Sequence, residues 1–316
     1  MTKFTQTYPT DLKYTEWQLI EGFFPSNHMG RPRKWEMWQI INAILYVVRT
    51  GCQWRMLPKD FAPWQTVYGY FRRWKKQGLW ERINEALVKK VRVKAGREAE
   101  PSAAIIDSQS VKTSEGGEER GVDVHKQTPG RKRHIIVDTL GLLLMVLVHS
   151  ASIQDGKGGG LTMQKLFAKI KRSIYNGHCR LKLIWADAAY AHIVEEVRKH
   201  FGWKLDIVRR SDKAKGFELL PHRWIVERTF GWLGRYRRLA RDFEHTVSSS
   251  ESVVYIASIR RMLKSDTKRF LTFPLTRTCL TINQSLAPNK KHWDIHPSVR
   301  SFLISGRGSI PKHHAE

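Results

Sequence analysis

The chain has 316 residues, 41% of them hydrophobic, and its 55 Lys and Arg against 29 Asp and Glu give a net charge of +26. This apolar content excludes a disordered chain and is enough for a substantial core in two domains. No run approaches the roughly 18 apolar residues that span a bilayer, and residues 1–10 lack the apolar centre of a secretory signal. We therefore expect a soluble, cytosolic protein whose basic charge favours nucleic acid as its partner.

The three cysteines, Cys52, Cys179 and Cys279, lie far apart in the chain. Their number is odd and no CxxC pair occurs, so neither a disulfide framework nor a structural zinc site is indicated. We expect buried or inert thiols.

The first hundred residues have apolar positions at helical spacing, which predicts helices over residues 14–24, 34–50, 63–77 and about 79–93. The third helix ends in a basic stretch made of Arg72, Arg73, Lys75 and Lys76. Consecutive helices with tight turns predict a helix-turn-helix-like DNA-binding domain over residues 1–98. The alternative is a helical bundle with a solvated basic face.

From residue 103 the pattern changes to short apolar runs that alternate with helical segments. Strands are predicted over 103–107, 134–138, 142–151, 181–186 and 204–209, and helices over 161–172, 192–201, 222–239 and 251–264. A hairpin at residues 139–141 makes the first strands antiparallel, and the later alternation predicts an α/β domain over residues 99–264 with a mixed sheet flanked by helices. Residues 265–316 have scattered prolines and no sustained period, so we expect an irregular tail.

Three carboxylates stand out against the basic background. Asp107 and Asp187 each close a short apolar run, where a buried strand meets solvent, and Glu227 lies on a predicted helix that can reach the same place. Taken singly, each acid has a simpler interpretation, such as a turn cap or a helix ion pair between Glu227 and Arg223 or Arg228. Taken together, they predict one metal site.

Carboxylate oxygens are the ligands that Mg²⁺ prefers, and two Mg²⁺ ions about 3.5–4 Å apart can activate a phosphodiester for attack. We therefore expect Asp107, Asp187 and Glu227 to hold two Mg²⁺ ions, with Mn²⁺ as a substitute. Without metal the three acids repel one another, which raises the pKa of at least one of them.

A second basic stretch lies beside the first strands of the sheet and contains Lys126, Arg131, Lys132, Arg133 and His134. We expect this stretch to contact the DNA backbone, although a solvated loop would have the same composition. The glycine run over residues 156–160 lacks the spacing of a phosphate-binding loop, so nucleotide binding is not predicted. Trp232 is expected in the core.

Longer segments are similar to the DDE transposases of bacterial insertion sequences, specifically the IS-five-like group. They are Ile-Asp107-Ser-Gln-Ser-Val-Lys112-Thr, Gly130-Arg-Lys-Arg-His134-Ile-Ile-Val-Asp138, Trp185-Ala-Asp187-Ala-Ala-Tyr190 and Arg223-Trp-Ile-Val-Glu227-Arg-Thr-Phe-Gly-Trp232. The resemblance implies a ribonuclease-H-like core, an N-terminal DNA-binding domain, Mg²⁺, and metal-binding acids at Asp107, Asp187 and Glu227. It implies binding of terminal inverted repeats and target DNA, cleavage and strand transfer, and a homodimer at synapsis in the bacterial cytosol or nucleoid.

The family surrounds its Glu with a Tyr, an Arg and a Lys at set spacing. Here Arg223 matches the Arg, whereas Leu220 stands at the Tyr position and Gly234 at the Lys position. Because Gly234 cannot make the phosphate contact expected of that Lys, we expect the contact from a nearby cation, namely Arg228, Arg235, Arg237 or Arg238.

Two other functions remain open from the sequence. One is a catalytically inactive DNA-binding regulator or remnant, and the other is a metal-dependent nuclease without strand transfer.

Overall fold

A computed structural model describes residues 4–24, 33–114, 116–173, 180–209 and 222–265. The strands are β1 (Ala103–Lys112), β2 (Gly121–Asp123), β3 (Thr128–Asp138), β4 (Leu143–Ser150), β5 (Leu183–Ala186) and β6 (Lys204–Ile207). The α-helices are α1 (Tyr14–Gln18), α2 (Met37–Thr50), α3 (Trp64–Lys76), α4 (Leu79–Lys94), α5 (Asp155–Ser173), α6 (Val194–Phe201), α7 (Arg223–Leu233), α8 (Arg237–Ala240) and α9 (Val247–Ser265). Short 3-10 helices cover Glu21–Phe23, Trp54–Met56 and Ala188–Ile193.

The strands form one mixed sheet. β3 pairs antiparallel with β1 on one side and with β4 on the other, while β1, β5 and β6 are parallel, and short β2 pairs with the start of β3. Helices cover both faces. This is the predicted ribonuclease-H-like mixed sheet flanked by helices, preceded by an N-terminal helical region, so the predicted fold class is confirmed.

The β3–β4 hairpin forms where the sequence predicts it. Gly141 takes a positive φ of 79°, and the Asp138 carboxylate accepts hydrogen bonds from the backbone N–H groups of Leu140 and Leu142. The buried Asp138 also binds the guanidinium of Arg92 on α4, which ties this turn to the N-terminal helices.

Apolar side chains form two clusters, one on each face of the sheet. One cluster joins the N-terminal helices to α7, α9 and one face of the sheet, and the other packs α5 and α6 against the opposite face. The first of these clusters extends from the N-terminal helices to the sheet, and all described residues belong to a single compact unit. The boundary at residue 98 stays a prediction, and the predicted tail lies outside the described residues except for Ser265.

Several elements differ in length from their predictions. β1 continues five residues past Asp107, and β3 begins at Thr128, so the second basic stretch, apart from Lys126, is part of a strand. The helix predicted over residues 222–239 is interrupted after Leu233 and resumes as α8, with Gly234 at the break, where the low helix propensity of glycine favours an end.

Among the described helices, none is long and apolar enough to cross a membrane. Cys52 is a half-buried free thiol, and the other two cysteines lie outside the described ranges.

The glycine run allows α5 to pack closely on its neighbours. A Cβ atom on Gly159 would lie 2.3 Å from Cε1 of Tyr190, and one on Gly158 would lie 2.4 Å from Nε2 of His149. At Gly160, one residue further along the helix, a Cβ atom would meet nothing within 4 Å. Gly158 and Gly159 therefore allow α5 to pack closely against His149 and Tyr190.

Two neighbouring substitutions test this packing. Gly159→Ala is expected to lower the free energy of unfolding by about 1–3 kcal/mol, because a methyl group overlaps the Tyr190 ring. Gly160→Ala is the matched control and is expected to raise it by about 0.4–1 kcal/mol, because alanine restricts the unfolded chain. Urea unfolding of both variants gives the comparison, and equal effects would show that Gly159 is not a packing contact.

Candidate active site

The register of two parallel strands brings Asp107 and Asp187 to the same level. β1 pairs with β5 through Ala103–Leu183, Ala104–Ile184 and Ile105–Trp185, an offset that continues to Asp107 and Asp187. β5 ends at Ala186, and β1 continues alone past this point. The prediction that Asp107 ends its strand is wrong: it lies within β1, opposite Ile135 of β3, at the point where the β5 side of the strand becomes open.

Asp187 begins the 3-10 helix Ala188–Ile193. Its Oδ1 accepts a hydrogen bond from the backbone N–H of Ala189 at 2.9 Å, which caps the helix and orients the carboxylate. The other oxygen of the half-buried side chain is left to face Arg223.

Glu227 reaches the same place from α7. This helix packs beside the sheet through buried Ile225 and Val226, which leaves Glu227 on its exposed face. Nη2 of Arg223 lies 3.7 Å from Oδ2 of Asp187 and 3.6 Å from Oε1 of Glu227. Because one nitrogen lies close to both acids, their two oxygens cannot be further apart than the sum of these distances. The structure thus brings Asp187 and Glu227 together around one cation.

Electrostatics distinguish Asp107 from the other two acids. The pKa of Asp107 is raised to about 6, chiefly by burial and in the same direction by the nearby Asp187, while the N–H of Ser108 and the charges of Arg223 and Lys126 oppose the shift. The Ser108 N–H donates to Oδ1 of Asp107 at 2.7 Å. A cation close to Asp107 would relieve this unfavourable negative charge.

The donors at this place fit a hard divalent cation, since they are carboxylates and Arg223 already occupies a position between two of them. Within the ranges that the structure describes, however, no three acidic, His or Cys side chains stand in a finished metal-ligand arrangement. The acids are near one another, and their arrangement around a metal stays a prediction.

The predicted DNA contacts at Arg131 and Arg133 are not available to a phosphate in this structure. Arg131 is fully buried and donates to the backbone carbonyls of Glu118, Glu244 and His245. Arg133 is also buried and donates to the Leu239 carbonyl at 2.8 Å, and both guanidinium groups lie within 4 Å of the buried Asp242. They join β3 to the segment after α8.

Lys132 is buried as well. Its Nζ lies 2.9 Å from Oδ1 of Asp155 and 3.3 Å from Oδ2 of Asp123, and it donates to the Ile153 carbonyl. The predicted contact of Lys132 with the DNA backbone is therefore not supported either, because its three donors are used inside the protein.

The remaining predicted contacts near the acids divide in two. Lys126 is exposed in the turn between β2 and β3, where its N–H donates to the Asp123 carboxylate, and Arg235 is exposed after α7. Arg228 instead lies between the rings of Trp224 and Trp232, at 4.6 and 4.3 Å, and donates to the Leu140 carbonyl. Its guanidinium therefore supports the β3–β4 hairpin.

Of the other candidates, Arg237 is exposed, whereas Arg238 is buried and binds Glu244.

The basic end of α3 lines an open groove of about 740 Å³ together with Ser248 at the start of α9; its cations are Arg72, Arg73, Lys75 and Lys76. Lys75 is partly buried and donates to the Ser249 hydroxyl at 2.9 Å, whereas the other three cations are exposed. No carboxylate in the described part of the chain forms an ion pair with any of the four.

Sequence reasoning did not assign a role to Tyr190 or Asp155. Burial raises the pKa of Tyr190, and the charges of Asp107, Asp155 and Asp187 act in the same direction, while Ser108 opposes the shift. The place of Tyr190 three residues after Asp187 in a quoted motif was the available signal, while Asp155 opens α5 without any motif of its own.

Arg131 and Lys126 provide a matched test of burial. Arg131→Met should lower the free energy of unfolding by about 3–5 kcal/mol, because Asp242 stays buried and loses one of its neighbouring positive charges. Lys126→Met should stay within about 0.5 kcal/mol of the unchanged protein and weaken DNA binding. Urea unfolding and fluorescence anisotropy with duplex DNA make the comparison; a stable Arg131→Met with weakened DNA binding would restore the original prediction.

Two family models of transposases match the chain. Residues 12–84 match the family model "Putative transposase of IS4/5 family", and residues 98–259 match the model "Transposase DDE domain". The 16.2 kDa protein of insertion element IS402 from Burkholderia cepacia is 30% identical over 130 residues, which are 39% of this chain and 84% of that protein. Protein y4sN of Sinorhizobium fredii (strain NBRC 101917 / NGR234) is 28% identical over 103 residues, 32% of this chain and 75% of that protein.

Two solved structures are also similar in part. A pre-cleavage Mos1 transpososome covers 76% of this chain and 79% of its own at 10% identity and a TM-score of 0.27, and the Mos1 mariner paired end complex with Mn covers 79% and 83% at 11% identity and 0.27. The transposase model matches more than half of the chain and contains all three acids, and the chain belongs to the DDE transposase family.

Proposed function

We propose that this chain is an insertion-sequence transposase that binds terminal inverted repeats, cleaves DNA at their ends and transfers the ends into target DNA. Asp107, Asp187 and Glu227 hold Mg²⁺, or Mn²⁺ as a substitute. Two observations support the proposal: one nitrogen of Arg223 lies within 4 Å of both Asp187 and Glu227, and the β1–β5 offset places Asp107 at the same level along the strands as Asp187.

The chemistry requires charge compensation more than covalent help from side chains. Bound divalent cations supply that compensation at the entering and leaving oxygens of a phosphodiester. Asp187 is preoriented by its cap, and Asp107 carries a carboxyl whose charged form is disfavoured until a cation is near. Arg223 lies close to both Asp187 and Glu227, and if these two acids held divalent cations its guanidinium would be available to a phosphate oxygen.

DNA is the proposed partner, with two separate contact surfaces. Within the described residues, the groove between α3 and α9 presents four cations that form no ion pair with a carboxylate, and Lys126 and Arg235 are exposed outside this groove. Joining two transposon ends needs two active sites, so we propose a homodimer in the DNA-bound state. A chain that acts on bacterial chromosomal DNA works in the cytosol or nucleoid.

Cleavage by substituted proteins tests the acids. With end-containing DNA and Mg²⁺ or Mn²⁺, the unchanged protein should nick at the repeat boundary, whereas Asp107→Asn, Asp187→Asn and Glu227→Gln should each cut about 10²-fold more slowly or worse. DNA binding should persist, because these acids do not contribute to phosphate attraction. Glu195→Gln on the exposed face of α6 is the control and should cut normally.

The same assay separates the alternatives. Nicking without joining to a target indicates a nuclease, and binding by the unchanged protein without any nicking indicates a regulator. If the Asp107→Asn protein cut DNA as fast as the unchanged protein, the proposed mechanism would be wrong.

The groove is tested by the salt dependence of binding. Arg72→Ala and Lys76→Ala should each weaken binding to duplex DNA of any sequence, and each should reduce the slope of log affinity against log salt by about 1. Lys90→Ala, an exposed cation on α4, is the matched control and should leave the slope unchanged. An unchanged slope in the first two variants would place DNA elsewhere.

A further inference from the structure

Gly69 lies in the middle of α3 and faces away from the core. The buried side of this helix is formed by Val67, Phe71 and Trp74. The opposite side is exposed, and at helical spacing it carries Gln65, Gly69, Arg72 and Lys76. Gly69 therefore interrupts a row of long polar side chains on the surface of the helix.

The fold gives no reason for a glycine at this position. Gly69 does not take a positive φ and lies well inside the helix. Among the residues that the structure describes, a Cβ atom added to Gly69 would meet nothing within 4 Å. Glycine inside a helix is less stable than alanine, because it loses more conformational freedom on folding. An alanine would fit the free protein and stabilise it, which points to a contact that forms only with a partner.

The place of Gly69 identifies the kind of partner. Gly69 lines the groove of about 740 Å³ between α3 and the start of α9, one helical turn before Arg72, and Ser248 lines the same groove from α9. The N–H of Val247 at the start of α9 already donates to Oε1 of Glu118 at 2.9 Å. The cations of α3 are therefore the main source of positive charge in this groove.

These cations repel one another in the free protein. Within the described residues none of them forms an ion pair with a carboxylate. Burial lowers the pKa of Lys75, and the charge of Arg72 acts in the same direction, while Glu244 and Glu118 oppose the shift. A polyanion in the groove would compensate the cations, and the backbone of duplex DNA carries closely spaced negative charges.

We propose that the sugar–phosphate backbone of duplex DNA crosses α3 at Gly69, where the missing side chain lets it come close enough for Arg72 and Lys76 to bind its phosphates. The inference rests on the proposed function, because it assumes that this groove binds DNA. Glycine permits such a close approach of the protein backbone to a ligand. A Cβ atom at Gly69 would stand between the helix and the DNA strand, so the strand would have to move outward.

The test compares two open glycines in helices. Gly160 on α5 also has nothing within 4 Å of an added Cβ atom, and it does not line this groove. Binding by the full-length Gly69→Ala, Gly69→Leu and Gly160→Ala proteins is measured by fluorescence anisotropy. Two duplexes of equal length are used, one with the transposon end and one of unrelated sequence, and thermal unfolding is measured without DNA.

Gly69→Ala and Gly160→Ala are both expected to unfold about 1–3 °C higher than the unchanged protein, because alanine restricts the unfolded chain. Gly69→Ala should nevertheless bind both duplexes about 3-fold more weakly. Gly69→Leu should bind them about 10-fold more weakly or worse, since a larger side chain holds the strand further away. Gly160→Ala should bind both duplexes like the unchanged protein.

Three results would overturn the role of Gly69. A lower unfolding temperature of Gly69→Ala would mean that the glycine serves the fold. Unchanged binding by Gly69→Leu, while Arg72→Ala weakens binding, would place DNA in the groove but away from Gly69. A loss confined to the duplex with the transposon end would place base edges, instead of the backbone, at this position. If Arg72→Ala and Lys76→Ala also bind like the unchanged protein, the groove does not bind DNA and that part of the proposed function fails.

Discussion

The parallel pairing of β1 with β5 is the constraint on which the candidate site depends. This pairing sets an offset that places Asp107 and Asp187 at the same height along the two strands, although 79 residues lie between them in the chain. One residue of slip in this register would turn every side chain of the strand to the other face of the sheet, and the buried runs of both strands forbid that slip. The position of the acids is thus a consequence of core packing, and Glu227 joins them because α7 packs on the same face through Ile225 and Val226.

Burial of charge has two different uses in this basic protein. Arg131, Lys132 and Arg133 are enclosed in β3, where buried acids and backbone carbonyls compensate them, and they connect β3 to α5, to β2 and to the segment that precedes α9. Removing either partner of such a pair leaves an uncompensated charge, so these contacts specify the fold. Within the part of the chain that the structure describes, the cations of α3 form no ion pair with a carboxylate, and Arg72, Arg73 and Lys76 are exposed to an external polyanion.

The N-terminal helices are joined to the sheet by a shared apolar core, and Arg92 and Lys75 add polar contacts across the same boundary. A cationic groove made by α3 and α9 together therefore has a fixed position relative to the acids, since α9 also packs against β4. In the proposed function, DNA held in this groove is presented to the acids by the packing of the core, without a flexible linker between the two.

The sequence by itself determined most of the strand and helix order and the β3–β4 hairpin, and it nominated the three acids, because apolar periodicity, turn residues and short motifs are local properties. It could not reveal that Arg131, Lys132 and Arg133 are internal. A run of cations has the same local pattern in a solvated loop and in a buried strand, and the difference lies in acids and carbonyls that are distant in the chain. Likewise, only the tertiary structure placed Arg223 between Asp187 and Glu227, since this position depends on how α7 packs against the sheet.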